Sequence, residues 1–423
     1  MGRNMVAAFA GLVVVAFPAL AHGEVSLYGR ADMDFERVSA TGSTAVAGTP
    51  PVMGGYDKLP RNRVSSNSSY LGVKGTDDLA DGVQGFFQIE SGLNQDTGTA
   101  TTTSTSSTGI SGTFASRNSA LGLLGDFGTV FFGTWETPYR TGFTVLDPFE
   151  YTGIGGFSIL GNGHTTNPNS GNLVSFGRRQ NNSVQYWSPT LAGFSVKLAY
   201  SPNEERPSVG NVGVTTPAGY NPSLVSLSAR YTADPFYVYM GYERHTDYTS
   251  VGHADDGFNV GATYSSGGTR LGVLYEQLRY RFGGAGANVA TAANPFVGSG
   301  ATVASASGVL GIDSWAMFAS QDVGAKGRLR AAYERAGDAT GSALVAGART
   351  GASKLTVGYG YTLTKRVELY GVYTRINNHA NGVYDFTTNL IGTAPTGGAH
   401  PQGIGVGMKY VFGVPGGDSL PRP

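Results

Sequence analysis

The feature that most constrains this fold is strict two-residue alternation, first seen in "EVSLYGRADMDFERV", residues 24–38. Its odd positions, among them Val25, Leu27 and Phe35, are apolar or small, while most even positions are polar or charged. Side chains of a β-strand point alternately to opposite faces, so this pattern predicts a strand with one apolar face. The stretch alone does not reveal what covers that face.

The same alternation recurs along most of the chain and predicts sixteen strands. The connections between them alternate between short turns and long loops, and this arrangement is typical of an outer-membrane barrel. An even-stranded antiparallel barrel with both chain ends on one side requires this alternation of short and long connections. The predicted strands are 24–38, 69–76, 82–95, 117–125, 128–135, 181–189, 193–201, 223–232, 236–246, 257–265, 269–281, 312–321, 327–337, 353–362, 366–378 and 403–412.

The charges on the polar face decide what the apolar face contacts. Arg30, Lys197, Arg230, Arg330 and Glu334 lie on the parity opposite the apolar one, in the interior of strands. Charged inner faces are compatible with a water-filled lumen and a lipid-covered exterior. We therefore predict an all-β fold, a 16-stranded antiparallel transmembrane β-barrel with short periplasmic turns and long external loops. The alternative, a soluble secreted β-solenoid or sandwich, would show a fixed repeat period, and the sequence has none.

Composition and the chain ends agree with a secreted β protein. The chain has 65 glycines and no cysteine, and its 29 Lys and Arg balance 29 Asp and Glu, so no basic surface for nucleic acid is expected. Residues 1–23 have an early arginine, an apolar run and small residues at Ala19 and Ala21, which predicts a cleaved signal peptide rather than an uncleaved anchor. We expect the barrel over 24–412 and a disordered tail over 413–423.

Four segments resemble the Gram-negative general porins of beta-proteobacterial type. They are "SLYGRADMDF", "VSSNSSYLGVKGTDDLADGVQGFFQIESGLN", "ASRNSALGLLGDFGTVFFGTWETPY" and "GRRQNNSVQYWSPTLAGFSVKLAY". The resemblance extends from about residue 24 to 412 and is densest over 64–201. It implies a homotrimer in the outer membrane of a Gram-negative bacterium, each barrel being a passive channel for ions and small hydrophilic solutes. It implies no enzymatic activity and no cofactor.

The connection over 136–180 is the longest, and it is unusually apolar for a solvated loop, with Phe149, Ile154 and Phe157 among its side chains. We expect it to fold into the lumen with Glu136, Asp147 and Glu150 facing the channel. The resemblance further implies a constriction in which loop acids oppose wall arginines. This pattern places Asp147 and Glu150 opposite Arg178 and Arg179, with further wall members at Arg30, Arg61, Arg63 and Lys74. The alternative for each arginine is a solvated charge at a strand end.

Two departures from the family pattern leave the ion preference open: Tyr70 and Thr134 stand where many relatives have arginine. A substrate-selective porin of the same fold is an alternative, with Phe86, Tyr237 and Tyr239 as candidate pore aromatics. An outer-membrane barrel enzyme is a further alternative, but His245 has no accompanying serine motif and the sequence predicts no catalytic residue. The acidic stretch 253–256 is a weak cation signal, and we predict no metal site.

Overall fold

The computed structural model describes eleven segments of the chain. The predicted signal peptide and all but the first residue of the predicted tail lie outside them. The described segments are residues 24–43, 57–97, 99–100, 114–161, 176–202, 221–248, 252–282, 308–342, 349–386, 388–391 and 397–413.

These segments form nineteen strands and one helix, α1, at Pro138–Leu146. None of the helical residues described is part of a helix long and apolar enough to cross a membrane. The strands are β1 (Glu24–Thr41), β2 (Lys58–Ser66), β3 (Ser69–Ala80), β4 (Val83–Asn94), β5 (Thr99–Ala100), β6 (Ser119–Gly125), β7 (Gly128–Glu136), β8 (Arg179–Trp187), β9 (Phe194–Ser201), β10 (Ser223–Ala233), β11 (Phe236–Thr246), β12 (Ala254–Ser266), β13 (Thr269–Phe282), β14 (Gly308–Val323), β15 (Gly327–Ala336), β16 (Thr340–Ser342), β17 (Ala352–Thr364), β18 (Val367–Asn378) and β19 (His400–Phe412).

Antiparallel pairing of neighbouring strands closes the sheet into a barrel. The closing pair is β1 with β19, in a register that runs from Gly29 opposite Phe412 to Thr41 opposite His400. Three wall strands are each divided into two pieces that share a neighbour: β2 and β3 both pair with β1, β5 and β6 with β4, and β15 and β16 are joined through β14. The barrel therefore has sixteen wall strands, and the predicted fold class is confirmed.

The strands extend further beyond the membrane than the alternation predicted. Residues 58–66, expected to be part of a loop, form β2 and pair with the upper half of β1. The short strands β5 and β16 also lie within predicted loops. These pieces are polar or very short, so they carry no alternating apolar signal, and their pairing depends on a neighbouring strand that is already in place.

The two faces of the wall agree with the predicted parity. Val25, Leu27 and Phe35 of β1 are 65%, 57% and 52% exposed on the outside of the barrel. Asp32, Asp34 and Glu36 of the same strand point inward but are nearly inaccessible. The expectation that water covers these inner carboxylates is wrong, because chain segments inside the barrel pack over them.

The inner packing comes from the residues between β7 and β8. Leu146, Ile154, Phe157 and Ile159 of this connection belong to a buried apolar cluster that also includes side chains of β13, β14 and β18. Glycines of β19 leave space for it: a Cβ at Gly403 would lie 3.0 Å from Ile154 Cδ1. The connection thus packs on the inner wall within the lumen.

Candidate channel constriction

The loop that narrows the lumen begins with helix α1. The backbone N–H of Arg140 donates to Thr137 Oγ1 at 3.3 Å, so Thr137 is the N-cap, and Pro138 occupies the first helical position. Proline fits there because the first helical N–H groups have no intrahelical acceptor. The local sequence "TPYR" is therefore enough to begin a helix directly after β7.

Several hydrogen bonds hold α1 against the opposite wall, three of them through side chains of β11 and β13 and of α1 itself. The Tyr139 hydroxyl donates to Glu276 Oε1 of β13 at 2.6 Å. The Tyr239 hydroxyl of β11 donates to the Pro138 carbonyl at 2.7 Å. Arg270 of β13 donates to the Val145 carbonyl at 2.6 Å. Each partner is buried or partly buried, so these bonds fix the helix against the wall away from bulk water.

Asp147, directly after α1, organises the loop from within. Its carboxylate accepts backbone N–H groups of Phe149 at 2.8 Å, Tyr151 at 3.0 Å and Phe157 at 2.6 Å. Its side chain is only 3% exposed, and this burial raises the pKa of Asp147. The expectation that Asp147 faces the channel is therefore wrong, because converging N–H donors turn the carboxylate into the loop.

Wall side chains hold the returning part of the loop. Glu334 of β15 accepts the backbone N–H groups of Ser158 and Ile159, both at 2.9 Å. Lys354 of β17 lies 3.6 Å from Glu334 and donates to the Gly156 carbonyl and to Ser158 Oγ. Glutamate and lysine side chains of the inner wall thus replace water as partners of the loop backbone.

Glu150 is the loop acid that reaches the lumen. It is exposed, and it accepts from Arg30 of β1 at 2.7 Å and Lys409 of β19 at 2.6 Å. Although the enclosed lumen disfavours a charge, these two cations hold the pKa of Glu150 below its usual range. Glu150 and Tyr151 have φ values of 60° and 54°, a left-handed conformation that costs about 1 kcal/mol or more per residue. The ion pairs and the Asp147 hydrogen bonds stabilise this bend.

The Glu150 ion pair continues into a chain of alternating charges. Lys409 contacts Glu368 of β18 at 2.7 Å, and Glu368 contacts Arg330 of β15 at 2.5 Å. At the other end, Arg30 contacts Asp32, which accepts from the Tyr370 hydroxyl at 2.7 Å. Parity predicts the inward position of Arg330 and Lys409. Their part in this chain could not be predicted, because it depends on the path of the loop.

A second charge cluster surrounds the base of the loop. Glu136 contacts Arg179 at 2.5 Å and Arg140 at 3.2 Å. Close by, Arg117 contacts Glu90 at 2.5 Å and lies over the Tyr70 ring at 4.8 Å. The structure therefore brings Arg179 to Glu136 and does not place it opposite Glu150. Sequence reasoning missed Arg117 and Arg140, which lie outside regular strands and carry no parity signal.

The other predicted wall cations lie at different levels. Arg61 donates to the Ile391 carbonyl, and Arg63 contacts Glu36 at 2.5 Å and the Leu390 carbonyl at 2.7 Å. Both therefore connect β2 to the loop before β19 and lie away from Glu150. Arg178 is buried with its guanidinium over the Tyr248 ring. Lys74 points into the lumen beside the Tyr28 ring, 5.4 Å from its centroid.

The candidate pore aromatics do not form a continuous exposed surface. Phe86 belongs to a buried aromatic cluster with Phe131 and Trp135. Tyr239 is buried beneath α1, and only Tyr237 is partly accessible. His245 is fully buried and lies 2.8 Å from Glu243, stacked on the Phe176 ring.

The described lumen shows an asymmetry between acids and bases. Most inward carboxylates are buried in packing or hydrogen bonds, whereas many inward cations are half-exposed. Within the eleven described segments, no three acidic or histidine side chains are arranged to hold a metal. The buried acids are Asp32, Asp34, Glu36, Glu90, Glu136, Asp147, Glu243, Glu276 and Glu334, and the half-exposed cations are Arg30, Lys74, Arg117, Arg140, Arg179, Arg230, Arg270, Arg330 and Lys409.

Comparisons with known proteins agree with this geometry. Outer membrane porin protein 32 of Delftia acidovorans is 24% identical over 93% of this chain and 95% of its own length. An outer membrane porin protein of Bordetella pertussis is 25% identical over 82% of this chain and 83% of its own length. The solved anion-selective porin from Comamonas acidovorans superposes with a TM-score of 0.66 at 23% identity, covering 92% of this chain and all of that one.

The family profile described as Gram-negative porin matches residues 7–381, which is most of the chain. The match includes the loop and most of the wall that carries the charges described above. Together with the closed barrel, it excludes the soluble alternatives and the barrel enzyme. The chain therefore belongs to the Gram-negative porin family, and it is an outer-membrane diffusion channel.

Proposed function

We propose that the charged constriction gives this porin a preference for small anions, and that the protein acts as a homotrimer. Its solutes are ions and small hydrophilic molecules that cross by diffusion without energy coupling. Lys74 and Arg230, lumenal cations that form no ion pair with a described carboxylate, set the preference. Glu150 is the principal acid of the constriction, and its charge is offset by Arg30 and Lys409.

The observation that carries this proposal is the asymmetry of exposure in the lumen. A carboxylate buried among backbone N–H groups, as Asp147 and Glu334 are, contributes little potential to passing ions because its charge is compensated at close range. Lys74 and Arg230 point into the lumen and form no ion pair with a carboxylate of the described segments. Rings of uncompensated positive charge favour anions in a narrow pore.

Trimeric assembly has separate support. The solved structure of OmpT, an outer membrane protein of Vibrio cholerae, in its trimer form superposes with a TM-score of 0.60 at 18% identity and covers 92% of this chain. The outside of the barrel also presents a broad apolar face, which suits lipid or a second copy. Native mass spectrometry in detergent tests this proposal: a mass of three chains supports it, and a stable monomer with normal conductance contradicts it.

The reversal potential in a planar bilayer tests the ion preference. Under a KCl gradient centred on roughly 0.1 M, where the Debye length is about 10 Å, the wild-type potential should have the sign of chloride preference. Replacing Lys74 and Arg230 together by glutamine should move it toward zero. Replacing Glu150 by glutamine should move it the other way, because Arg30 and Lys409 then lose their acidic partner.

The matched control is Arg279→Gln, because this arginine points outward near the upper rim and contacts Asp313 at 2.9 Å. It removes one positive charge without changing the lumen, so the reversal potential should stay at the wild-type value. A cation-selective wild type would overturn the proposal. So would a shift in the control as large as that in the lumenal double variant.

A further inference from the structure

Three inward side chains of β1 form an acidic row behind the constriction loop. Asp32, Asp34 and Glu36 lie on one face of the strand, and each is at most 4% exposed. Asp32 pairs with Arg30, and Glu36 pairs with Arg63. Asp34, between them, is different: neither of its carboxylate oxygens accepts a hydrogen bond from a described residue. A buried carboxylate without a partner is strongly destabilising, so this position requires a positive charge.

The cations close to Asp34 are engaged elsewhere. Asp34 lines a recess of about 50 Å³ between the loop and the wall, and the described residues around this recess include four acids and three cations. Each of the three cations forms an ion pair with an acid other than Asp34. The pairs are Arg30 with Asp32 and Glu150, Arg330 with Glu368, and Lys409 with Glu150 and Glu368. The described lining is therefore one positive charge short, and the shortage is at Asp34.

A glycine of β19 leaves room for Asp34 and Glu36 to approach each other. Gly405 lies opposite Glu36 in the closing pair of strands. A Cβ at Gly405 would lie 3.0 Å from Asp34 Oδ2 and 3.4 Å from Glu36 Cγ. Arg63 and Ser65 both donate to Glu36 Oε2, whereas Glu36 Oε1 has no described partner. Three carboxylate oxygens without a described partner are thus concentrated in one small region.

The loop contributes a further oxygen to the same recess. Thr152 lines it together with Asp34, and Thr152 Oγ1 is buried without a described hydrogen-bond partner. The nearby Asn67 amide donates instead to the Tyr370 hydroxyl at 2.9 Å. Wall and loop therefore present carboxylate and hydroxyl oxygens to one another, with no described N–H group between them.

This donor set suits Ca²⁺. The ion takes six to eight oxygen ligands in irregular geometry, whereas Mg²⁺ requires a near-ideal octahedron. Asp34 offers two oxygens, and Glu36 and Thr152 offer one each. Water completes the shell, because one water needs only about 10–15 Å³ of such a recess. The set has only two carboxylates, and its neutral oxygens distinguish it from a cluster of three acids.

We propose that Asp34, Glu36 and Thr152 bind one Ca²⁺ ion behind the constriction loop, and that the ion fixes loop residues 152–155 to the wall beside the closing seam. The site is absent from the sequence-based predictions because its ligands are far apart in the chain and meet only when the loop folds inward. It is independent of the ion preference of the channel, because the ligands are buried behind the loop.

Hydrogen exchange of the peptide over 149–156, followed by mass spectrometry, tests the proposal. The full-length protein is purified in detergent, treated with EDTA and then titrated with CaCl₂ at constant pH. Ca²⁺ should slow the exchange of this peptide in a saturable way, because the ion holds the loop against the wall. Mg²⁺ should need at least a tenfold higher concentration for the same effect.

Two variants on different elements test the ligands. Asp34→Asn keeps the shape of the side chain but removes its charge, and it should raise the Ca²⁺ midpoint at least tenfold. Changes to groups that merely orient a metal ligand already cost about 10–100-fold. Thr152→Val should raise the midpoint less, because only a neutral oxygen is lost. Asp313→Asn is the matched control: this outward acid contacts Arg279, and the variant should keep the wild-type midpoint.

Three results would overturn the proposal. The first is equal exchange of the wild-type peptide in Ca²⁺ and in EDTA. The second is an unchanged Ca²⁺ midpoint in Asp34→Asn, with the wild-type oligomeric mass retained. The third is wild-type protection that varies with pH but not with Ca²⁺, which would mean that Asp34 holds a proton in place of the metal.

Discussion

Replacing Glu334 by alanine should release the returning part of the constriction loop. Glu334 accepts two backbone N–H groups, from Ser158 and Ile159, at 2.9 Å each. Hydrogen bonds to a charged acceptor contribute about 1.5–3 kcal/mol apiece, so their loss costs the packed loop about 3–6 kcal/mol. The variant also leaves Lys354, which is fully buried, without its nearest carboxylate.

Hydrogen exchange measures this cost directly. Because 1.4 kcal/mol corresponds to a factor of ten, a loss of about 4 kcal/mol accelerates exchange of the Ser158 and Ile159 amides by roughly a thousandfold. The measurement follows the peptide over 156–161 by mass spectrometry, with a peptide of β10 as the internal reference. Open-channel current noise should increase in parallel, since the loop then fluctuates within the lumen.

Two companion variants separate the loss of the two hydrogen bonds from the effect of leaving the Lys354 charge unpaired. Glu334→Gln keeps an acceptor oxygen and should lose only part of the protection. Glu334→Ala/Lys354→Met removes the uncompensated lysine charge and should recover part of what the single variant loses. Unchanged exchange over 156–161 in Glu334→Ala would show that wall contacts other than this carboxylate hold the loop, and the reasoning would be wrong.

Two further predictions concern Glu150 and the lower wall. The pKa of Glu150 is lowered, so the ion pairs with Arg30 and Lys409 are fully formed above the ordinary glutamate pKa of about 4.3 and are lost only as pH falls through the lower folded value. The difference in reversal potential between the wild type and Glu150→Gln should therefore stay constant from neutral pH down to about 4.3, and a change in this difference near pH 6 would contradict the assignment. Gly72→Ala should destabilise the barrel by about 1–3 kcal/mol, because the new Cβ would lie 2.3 Å from Tyr28 Cζ. Thermal unfolding, followed by gel mobility, measures this loss of stability with the wild-type chain as the reference. Gly82→Ala is not a suitable control, because the φ of 77° at Gly82 is itself unfavourable to alanine.

The wall could be predicted from sequence because its signal is local. Outward and inward parity in β1, β9, β11 and β19 follows from the side chains of each strand alone, and the structure agrees with it. β2 was missed because "KLPRNRVSS" is polar on both faces above the membrane and contains Pro60, which weakens a strand prediction.

The constriction was only partly predictable because its contacts are non-local. Apolar composition over 136–180 predicted an inward loop, and Arg30 and Glu150, identified separately, do meet. The orientation of Asp147 depends on three N–H groups that converge only when the loop bends, and no sequence pattern reports that bend. The predicted roles of Arg178 and Arg179 follow from the family resemblance, which gives their place beside β8 but not their partners.

The loop packs on strands that come from both ends of the chain. Arg30 of β1 and Lys409 of β19 hold Glu150, and the glycine at position 403 makes room for Ile154. These strands become neighbours only when the first and last strands pair. During assembly, then, the part of the binding surface that holds Glu150 does not exist until the barrel has closed. The ion pairs of Glu150 therefore form only after closure, and a barrel that fails to close at this seam would lack them.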